Sequence, residues 1–440
     1  MKKLKNLSNI TIFMIGIGGI SMSGLAKILI HRGCRVIGSD LNYSQNVRDL
    51  ESVGVKIYRE HSENNINKDI DLVVYSGAIK PDNREIMGAK NLKIPVIERC
   101  ELLGEIARSF ENVISIAGTH GKTTTASIIS HIFRFAGLNP TIHLGGECNN
   151  FDSSTVIGGD KYFIVESCEY RNSFRYLRPQ MSAILNIEED HLDYYKNLKH
   201  IYRCFAKFAK NSRNLIKSKD VNIKHKNSET IGADWKVLNV VEKPNYTQFD
   251  VYYKCVFWGT FVVNMLGSHN VQNSLFAIAV CSSFGIPKCQ IYEGLKTFQG
   301  VKRRYETIGE ISNKPIIIDY AHHPTAIEKS VNGLIKKYHK IMCIFQPHTY
   351  SRTKTLMSDF VAVLSKLENI TIYKTFPARE EEIIGGRCID LYNNIENGDK
   401  KYFDKLIDII SFIKSNIQNY DAVLIMGAGD LGEIIKEYLD

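Results

Sequence analysis

The sequence predicts an α/β protein built from three successive units, and three observations lead there. Its 440 residues, taken at about 150 per domain, set a prior of roughly three domains. Short apolar runs end repeatedly in glycine-rich or polar turns and hand over to helical stretches. With 44% apolar and 23% charged residues, the chain has the balance of a protein that folds around cores.

The first unit, residues 1–108, is read as Rossmann-like. Thr11–Ile15 is a strand that runs into Gly16-Ile17-Gly18-Gly19, then a helical stretch at 22–31 closed by Gly33. Further strands at 35–38 and 71–75 end at Ser39-Asp40 and Ser76-Gly77. The second unit, 109–300, opens with a strand at 113–117, a glycine loop and a helix to Phe135 capped by Gly137, the order of a P-loop-type ATPase. Strands at 162–166 and 183–187 follow, and a helix at 270–284 reads as the end of the unit. The third unit, 301–440, is again Rossmann-like, with buried parallel strands at 315–320, 341–346 and Ala422–Met426. Ligands of open α/β sheets sit beyond the carboxyl ends of strands, so the residues that follow each strand are where chemistry is expected.

Charge and composition remove several functions. Lys plus Arg exceed Asp plus Glu by 56 to 47, and much of the excess lies in 196–243, which holds twelve basic residues against Asp220, Glu229, Asp234 and Glu242. The lysines there are scattered among asparagines, which fits a solvated face and not a nucleic-acid surface. No apolar run approaches the roughly 18 residues of a membrane span. Residues 1–5 with the apolar stretch behind them imitate a signal peptide, but Gly16, Gly18 and Gly19 break it. Ten cysteines without a CxxC pair indicate neither a zinc site nor a disulfide framework. A cytoplasmic protein without nucleic-acid or membrane partners, monomeric or weakly dimeric, is the expectation.

The sharpest local signal is Ala117-Gly118-Thr119-His120-Gly121-Lys122-Thr123-Thr124. A strand delivers the chain to two glycines whose backbone amides can curl around phosphate oxygens, and the helix behind them turns its positive end to the same anion. Lys122 suits the β- and γ-phosphates and Thr123 a Mg²⁺ ion. Ile116 stands where the general P-loop pattern has its first glycine. Glu166 at the next strand end supplies a hard oxygen for Mg²⁺. His191, on chemistry alone, reads as a helix-start residue. Asn270 and Asn273 share a helix face, where capping is the simplest use. His322 and His323 follow a strand without an acidic partner at metal-binding spacing, which favours hydrogen bonding or catalytic positioning. Gly427-Ala428-Gly429-Asp430-Leu431-Gly432 matches GxGxxG, but the acid expected about 20 residues on has no room before Asp440, so it reads as a tight turn. The loop at Gly16, with Asp40 ending the second strand, is the better dinucleotide candidate, and its Ser21 weakens a nicotinamide reading.

These segments resemble the Mur ligase family over essentially the whole chain and in the family's order. The resemblance implies ATP-dependent joining of L-alanine to the lactyl carboxylate of UDP-N-acetylmuramate through an acyl phosphate, in peptidoglycan precursor synthesis. It assigns the three units to UDP-substrate, ATP and amino acid. It implies ATP contacts at Gly118, Thr119, His120, Gly121, Lys122, Thr123 and Thr124, adenine recognition by Asn270 and Asn273, and further ATP contacts at Arg304 and Asp319. It implies two Mg²⁺ ions served by Thr123, Glu166 and His191, and catalytic roles for Lys122, Glu166, His191 and His323. Gly16, Gly18, Gly19, Ile20, Ser21, Asp40, Ser76 and Ala78 are implied to hold the UDP-sugar, and His348 and Arg352 the alanine, a guanidinium being suited to a carboxylate. Cys168 and Arg171 stand where many members carry Asp, and Thr349 where many carry a second Arg. A recycling ligase that attaches a preformed peptide, a NAD-dependent oxidoreductase built on Gly16 to Asp40, and a nucleotide-switched interaction protein are the alternatives.

Overall fold

The computed structural model describes residues 9–191, 194–243, 245–378, 380–396 and 398–439; the signal-like start at 1–5 lies outside them. Three sheets follow one another along the chain. The first is all parallel: β1 (Thr11–Ile15), β2 (Arg35–Ser39), β3 (Lys56–Tyr58), β4 (Leu72–Tyr75) and β5 (Val96–Glu98), in the order β3-β2-β1-β4-β5. Winding reverses between β1 and β4, so the turns at Gly16 and Ser76 flank one crevice. Ile12 to Ile15 are fully buried, as expected for a strand covered on both faces.

The second sheet has ten strands: β6 (Asn112–Ala117), β7 (Pro140–Cys148), β8 (Ser153–Val156), β9 (Gly159–Glu166), β10 (Met181–Ile184), β11 (Asn214–Ser218), β12 (Ser228–Ile231), β13 (Trp235–Glu242), β14 (Thr247–Tyr253) and β15 (Val256–Val263). Its order is β15-β14-β13-β12-β11-β10-β6-β9-β7-β8. β6 lies parallel between β9 and β10, so the loop after β6 emerges between Glu166 and the segment that leaves β10. Behind the loop, helix Lys122–Phe135 buries Ile128, Ile129, Ile132 and Phe133. Helix Ser268–Ser283 is followed by a further helix, Lys288–Lys296, which the sequence reading did not anticipate. Gly294 of that helix lets it approach closely, since a methyl there would stand 3.0 Å from Ile132.

The third sheet comprises β16 (Glu306–Ile311), β17 (Lys314–Asp319), β18 (Ile341–Phe345), β19 (Ile370–Tyr373), β20 (Lys400–Phe403) and β21 (Ala422–Met426), ordered β16-β17-β21-β18-β19-β20 with β16 antiparallel at the edge. The GxGxxG turn after β21 is filled by protein. A Cβ on Gly429 would lie 2.2 Å from Gln346 Oε1, Leu431 N donates to that oxygen at 3.0 Å, and Gln346 Nε2 donates to Asp430.

The basic stretch is structured. Helix Leu198–Lys210 buries Ile201, Phe205 and Phe208 while Lys199, Arg203, Lys207 and Lys210 stay exposed, and Phe208 stacks on Phe174 at 4.7 Å. Amphipathic burial therefore holds the stretch, and its lysines are the solvated face. Among the described residues no helix is long and apolar enough to cross a membrane. Phe208→Ala, which empties a fully buried ring site, is expected to cost about 3 kcal/mol, read as a lowered midpoint in urea unfolding followed by circular dichroism.

Candidate active site

The phosphate loop is shaped before any ligand arrives. Gly118 and Gly121 take φ of +146° and +83°, values that L side chains rarely adopt. A Cβ on Gly121 would stand 2.5 Å from Asn273 Oδ1. Asn186, just beyond β10, clamps the loop from the other side: its Oδ1 accepts from His120 N at 2.8 Å and its Nδ2 donates to His120 O at 3.1 Å. Thr119 Oγ1 accepts from Glu188 N at 2.9 Å. Thr124 is buried in the first helical turn.

Lys122 and Thr123 head that helix. The Lys122 ammonium donates to Gly118 O at 2.6 Å and lies 3.1 and 3.0 Å from the two Glu169 oxygens. Burial alone would lower its pKa, but Glu169 and Glu166 outweigh burial and raise it. Thr123 Oγ1 donates to Glu166 Oε2 at 2.8 Å, and Gly145 N donates to the same oxygen at 2.8 Å. A hydroxyl and a carboxylate side by side at the head of a phosphate-binding helix are an all-oxygen donor set that fits Mg²⁺. His191, with φ of +54°, reaches the cluster from the far side, its Nε2 3.7 Å from Glu169 Oε1. Glu166 thus meets Thr123 directly, while among the described residues His191 meets the cluster only at Glu169. Sequence reading passed over Glu169, although it sits three residues after Glu166 in the same turn.

The third unit closes against this cluster through residues 188–190. Thr325 donates to Glu188 at 3.1 Å, His323 Nε2 lies 3.3 Å from Glu189 O, and Arg352 pairs with Asp190 at 3.1 Å. His323 therefore does have an acidic neighbour: Glu188 and His120 meet it in space, all three ligand-type atoms lying within 4.8 Å of one another. No spacing within one segment could reveal that. Burial lowers the His323 pKa. Arg352, expected to hold a carboxylate, already holds that of Asp190, and its NH1 lies 3.1 Å from His348 Nδ1. Burial, then Arg352, lowers His348 to about 4.

The residues expected on the adenine side are more internal than their spacing suggests. Gly267 is the N-cap residue and makes no side-chain cap bond, so neither Ser268 nor Asn270 caps the helix. Asn270 donates to Leu266 O at 2.8 Å and accepts from Asn273 at 3.3 Å. Asp319 accepts from Tyr305 N, Ala321 N and Ser330 Oγ, holding the linker to the end of β17, and burial raises its pKa against Arg304. Arg304 lies over Tyr320 at 5.1 Å. Arg303, which sequence reading did not single out, donates to the Gly427 and Gly429 carbonyls.

At the first crevice, Gly18 N donates to Asp40 Oδ2 at 2.8 Å, and Gly16 N to Ser39 O at 2.8 Å. Asp40 Oδ1 accepts from Asn42 N, so this acid shapes the loop with both oxygens. Gly19 and Ile20 are exposed. Ser76 backs Gly16, where a Cβ would lie 3.2 Å away, and Ser76 Oγ accepts from Ala78 N at 3.4 Å. Ser21 lies 2.8 Å from His143 Nε2 and accepts from Arg99 at 2.9 Å. Burial, helped by Arg99, lowers His143 to about 3, so a neutral imidazole joins the first unit to the second.

Burial would raise the pKa of Asp190, but Arg352, His191 and His322 outweigh it and hold the carboxyl well below the usual range. With its folded pKa below its unfolded value of about 3.9, the stabilisation is complete above about pH 4 and is lost as pH falls further. Asp190→Asn leaves the buried Arg352 unpaired and is expected to cost about 3 kcal/mol at neutral pH. Melting temperatures measured down a pH series should converge with those of the parent below about pH 4.

Comparison with known proteins agrees with this layout. Residues 11–111 match the model "Mur ligase family, catalytic domain", 116–281 "Mur ligase middle domain" and 303–429 "Mur ligase, glutamate ligase domain". A UDP-N-acetylmuramate–L-alanine ligase of Lachnospira eligens is 38% identical over 461 aligned positions, covering all of both chains. One of Clostridium novyi is 38% identical over 98% of each. Among solved structures, a UDP-N-acetylmuramate–alanine ligase of Thermotoga maritima superposes with a TM-score of 0.83 over 98% of both chains at 24% identity, a likeness of fold. A murein peptide ligase of Psychrobacter arcticus gives 0.71 at 26% identity, again over 98% of both chains. Three family models in tandem and relatives alike from end to end lead to one conclusion: the chain belongs to the Mur ligase family.

Proposed function

We propose that this protein joins L-alanine to the lactyl carboxylate of UDP-N-acetylmuramate at the expense of ATP. The observation that carries the reading is end-to-end identity of 38% with ligases of that name. The geometry supports the same chemistry. The two glycine crevices suit two phosphate-bearing substrates: the UDP-sugar against Gly16, Gly18, Gly19, Ile20, Ser21, Asp40, Ser76 and Ala78, and ATP against residues 118–124. Asn270, Asn273, Arg304 and Asp319 frame the nucleotide side, and His348 and Arg352 the alanine side. The units are taken as 1–108, 109–300 and 301–440.

Oxide is a poor leaving group, so a free carboxylate has to be activated. In this reading the lactyl carboxylate attacks the γ-phosphorus of ATP, ADP leaves, and an acyl phosphate forms. The amine of alanine then attacks the acyl carbon, and phosphate departs from the tetrahedral intermediate. Lys122 and the positive end of its helix stabilise charge on the transferring group. Mg²⁺ at Thr123 and Glu166, with a second ion served by His191, supplies further charge neutralisation when bound. The part-buried contacts of residues 188–190 with the third unit would help to shield the acyl phosphate from water.

Phosphate release measured with UDP-N-acetylmuramate, ATP and Mg²⁺ should require L-alanine for steady turnover. Preference for a preformed tripeptide over alanine would instead favour the peptide-recycling reading. Lys122→Ala should abolish phosphate release while UDP-N-acetylmuramate binding persists; ligation retained in that variant refutes the ATP site. Arg352→Lys, which forfeits bidentate geometry, is expected to raise the KM for alanine about tenfold, a loss of roughly 1.4 kcal/mol, and an unchanged KM places the alanine carboxylate elsewhere.

A further inference from the structure

We propose that His120, Glu188 and His323 form a binding site for a divalent transition-metal ion of the zinc or cobalt class, one that fastens the third unit to the phosphate loop. The site shares no residue with the Thr123–Glu166 pair.

Three features of the geometry point to a ligand. First, two imidazole nitrogens are buried without a hydrogen-bond partner, His120 Nε2 and His323 Nδ1, and His323 is only 7% exposed. An unpartnered buried nitrogen is costly unless something fills its lone pair. Second, His323 holds the tautomer a metal needs. Its Nε2 faces the Glu189 carbonyl at 3.3 Å, so that nitrogen carries the proton and Nδ1 presents its lone pair. A ligating histidine commonly has a backbone carbonyl on its other nitrogen. Third, His120 Nε2 stands 3.4 Å from Glu188 Oε2, long for a hydrogen bond. It equals the edge of a tetrahedron whose metal–ligand bonds are about 2.1 Å. One ligand-type atom from each of the three residues lies within 4.8 Å of the others, so closing the longest edge to the tetrahedral value takes about 1.4 Å of side-chain movement shared between two residues.

Two imidazoles and one carboxylate are a donor set that favours zinc, cobalt or nickel over magnesium, which prefers oxygen alone. The ligands come from three places: the phosphate loop, the segment leaving β10, and the N-cap of helix Pro324–Leu334. A metal bound there links the second and third units directly, and opening the interface dissolves the site.

The test uses the full chain, free of nucleotide and Mg²⁺, titrated with Co²⁺ and, separately, Zn²⁺. Visible absorption of bound Co²⁺ reports coordination and equilibrium dialysis reports stoichiometry. Glu188→Gln and His323→Gln are each expected to lose one equivalent, or to bind it at least about tenfold more weakly, the cost of losing even an outer-shell partner. His339→Gln, which removes an exposed imidazole, should retain it. Zn²⁺ should raise the melting temperature of the parent and of His339→Gln but not of the other two, and circular dichroism verifies that both are folded. No binding by the parent, or undiminished affinity and stoichiometry in Glu188→Gln and His323→Gln, overturns the proposal.

Discussion

The charge of Lys122 is shut inside the protein, only 15% of its side chain reaching solvent, and such a charge cannot remain there unpaired. Much of the central architecture serves that requirement. Glu169 answers it with both oxygens and is itself fixed by Tyr195, whose hydroxyl donates to its backbone carbonyl. Glu169 also draws His191 into the cluster. The turn after β9, the loop after β6 and the segment leaving β10 are therefore tied at one point. Without a metal, Lys122 faces two carboxylates, Glu166 and Glu169, and the cluster has more acid than base. A triphosphate would meet an acidic mouth. A divalent cation at Thr123 and Glu166 reverses that balance, which is a physical reason for metal and nucleotide to bind together.

The same economy extends to the third unit. Residues 186–190 are a short segment with two duties. Asn186 and Glu188 N hold the phosphate loop, while Glu188, Glu189 and Asp190 each contact the third unit. A displacement of that unit has to be felt within three residues of the loop. Arg303 does the corresponding work on the linker, where its guanidinium bonds the carbonyls of the turn after β21. Closure and phosphate binding thus share parts.

The strands and the turns that end them could be read from the sequence because they alternate at a period that propensity and glycine placement both mark. Thr123 and Glu166 could be picked out for a related reason: Thr123 opens the helix behind the glycine loop, Glu166 ends a strand, and each has an oxygen suited to one ion. What could not be read is which strand ends converge. Glu169, Asn186, Glu188 and Asp190 have ordinary surroundings in the sequence and gain meaning only from the order β10-β6-β9. His323 lacked an acidic partner in its own segment, and the partner came from 135 positions earlier, at Glu188. Asn270, Asn273 and Asp319 show the opposite case. Their residue types invite ligands, yet packing has given them structural bonds, with Asn273 pressed so close to Gly121 that only glycine fits there.

Three glycine turns, at Gly16, Gly118 and Gly427, illustrate what a motif leaves undetermined. All three follow a buried strand, all three precede a helix, and all three have a glycine at positive φ. The turn at Gly427 is stopped by the Gln346 side chain, whose amide takes the bonds an anion would have needed. The turn at Gly16 leaves Gly19 exposed and is braced from behind by Asp40, so it has an open front but no fixed cation of its own; Arg99 stands one serine away. The turn at Gly118 is braced by Asn186 and carries Lys122. Glycine gives the backbone freedom to approach a phosphate, but the neighbouring side chain decides whether the space is kept, and a buried cation decides whether the terminal phosphate is the one acted upon.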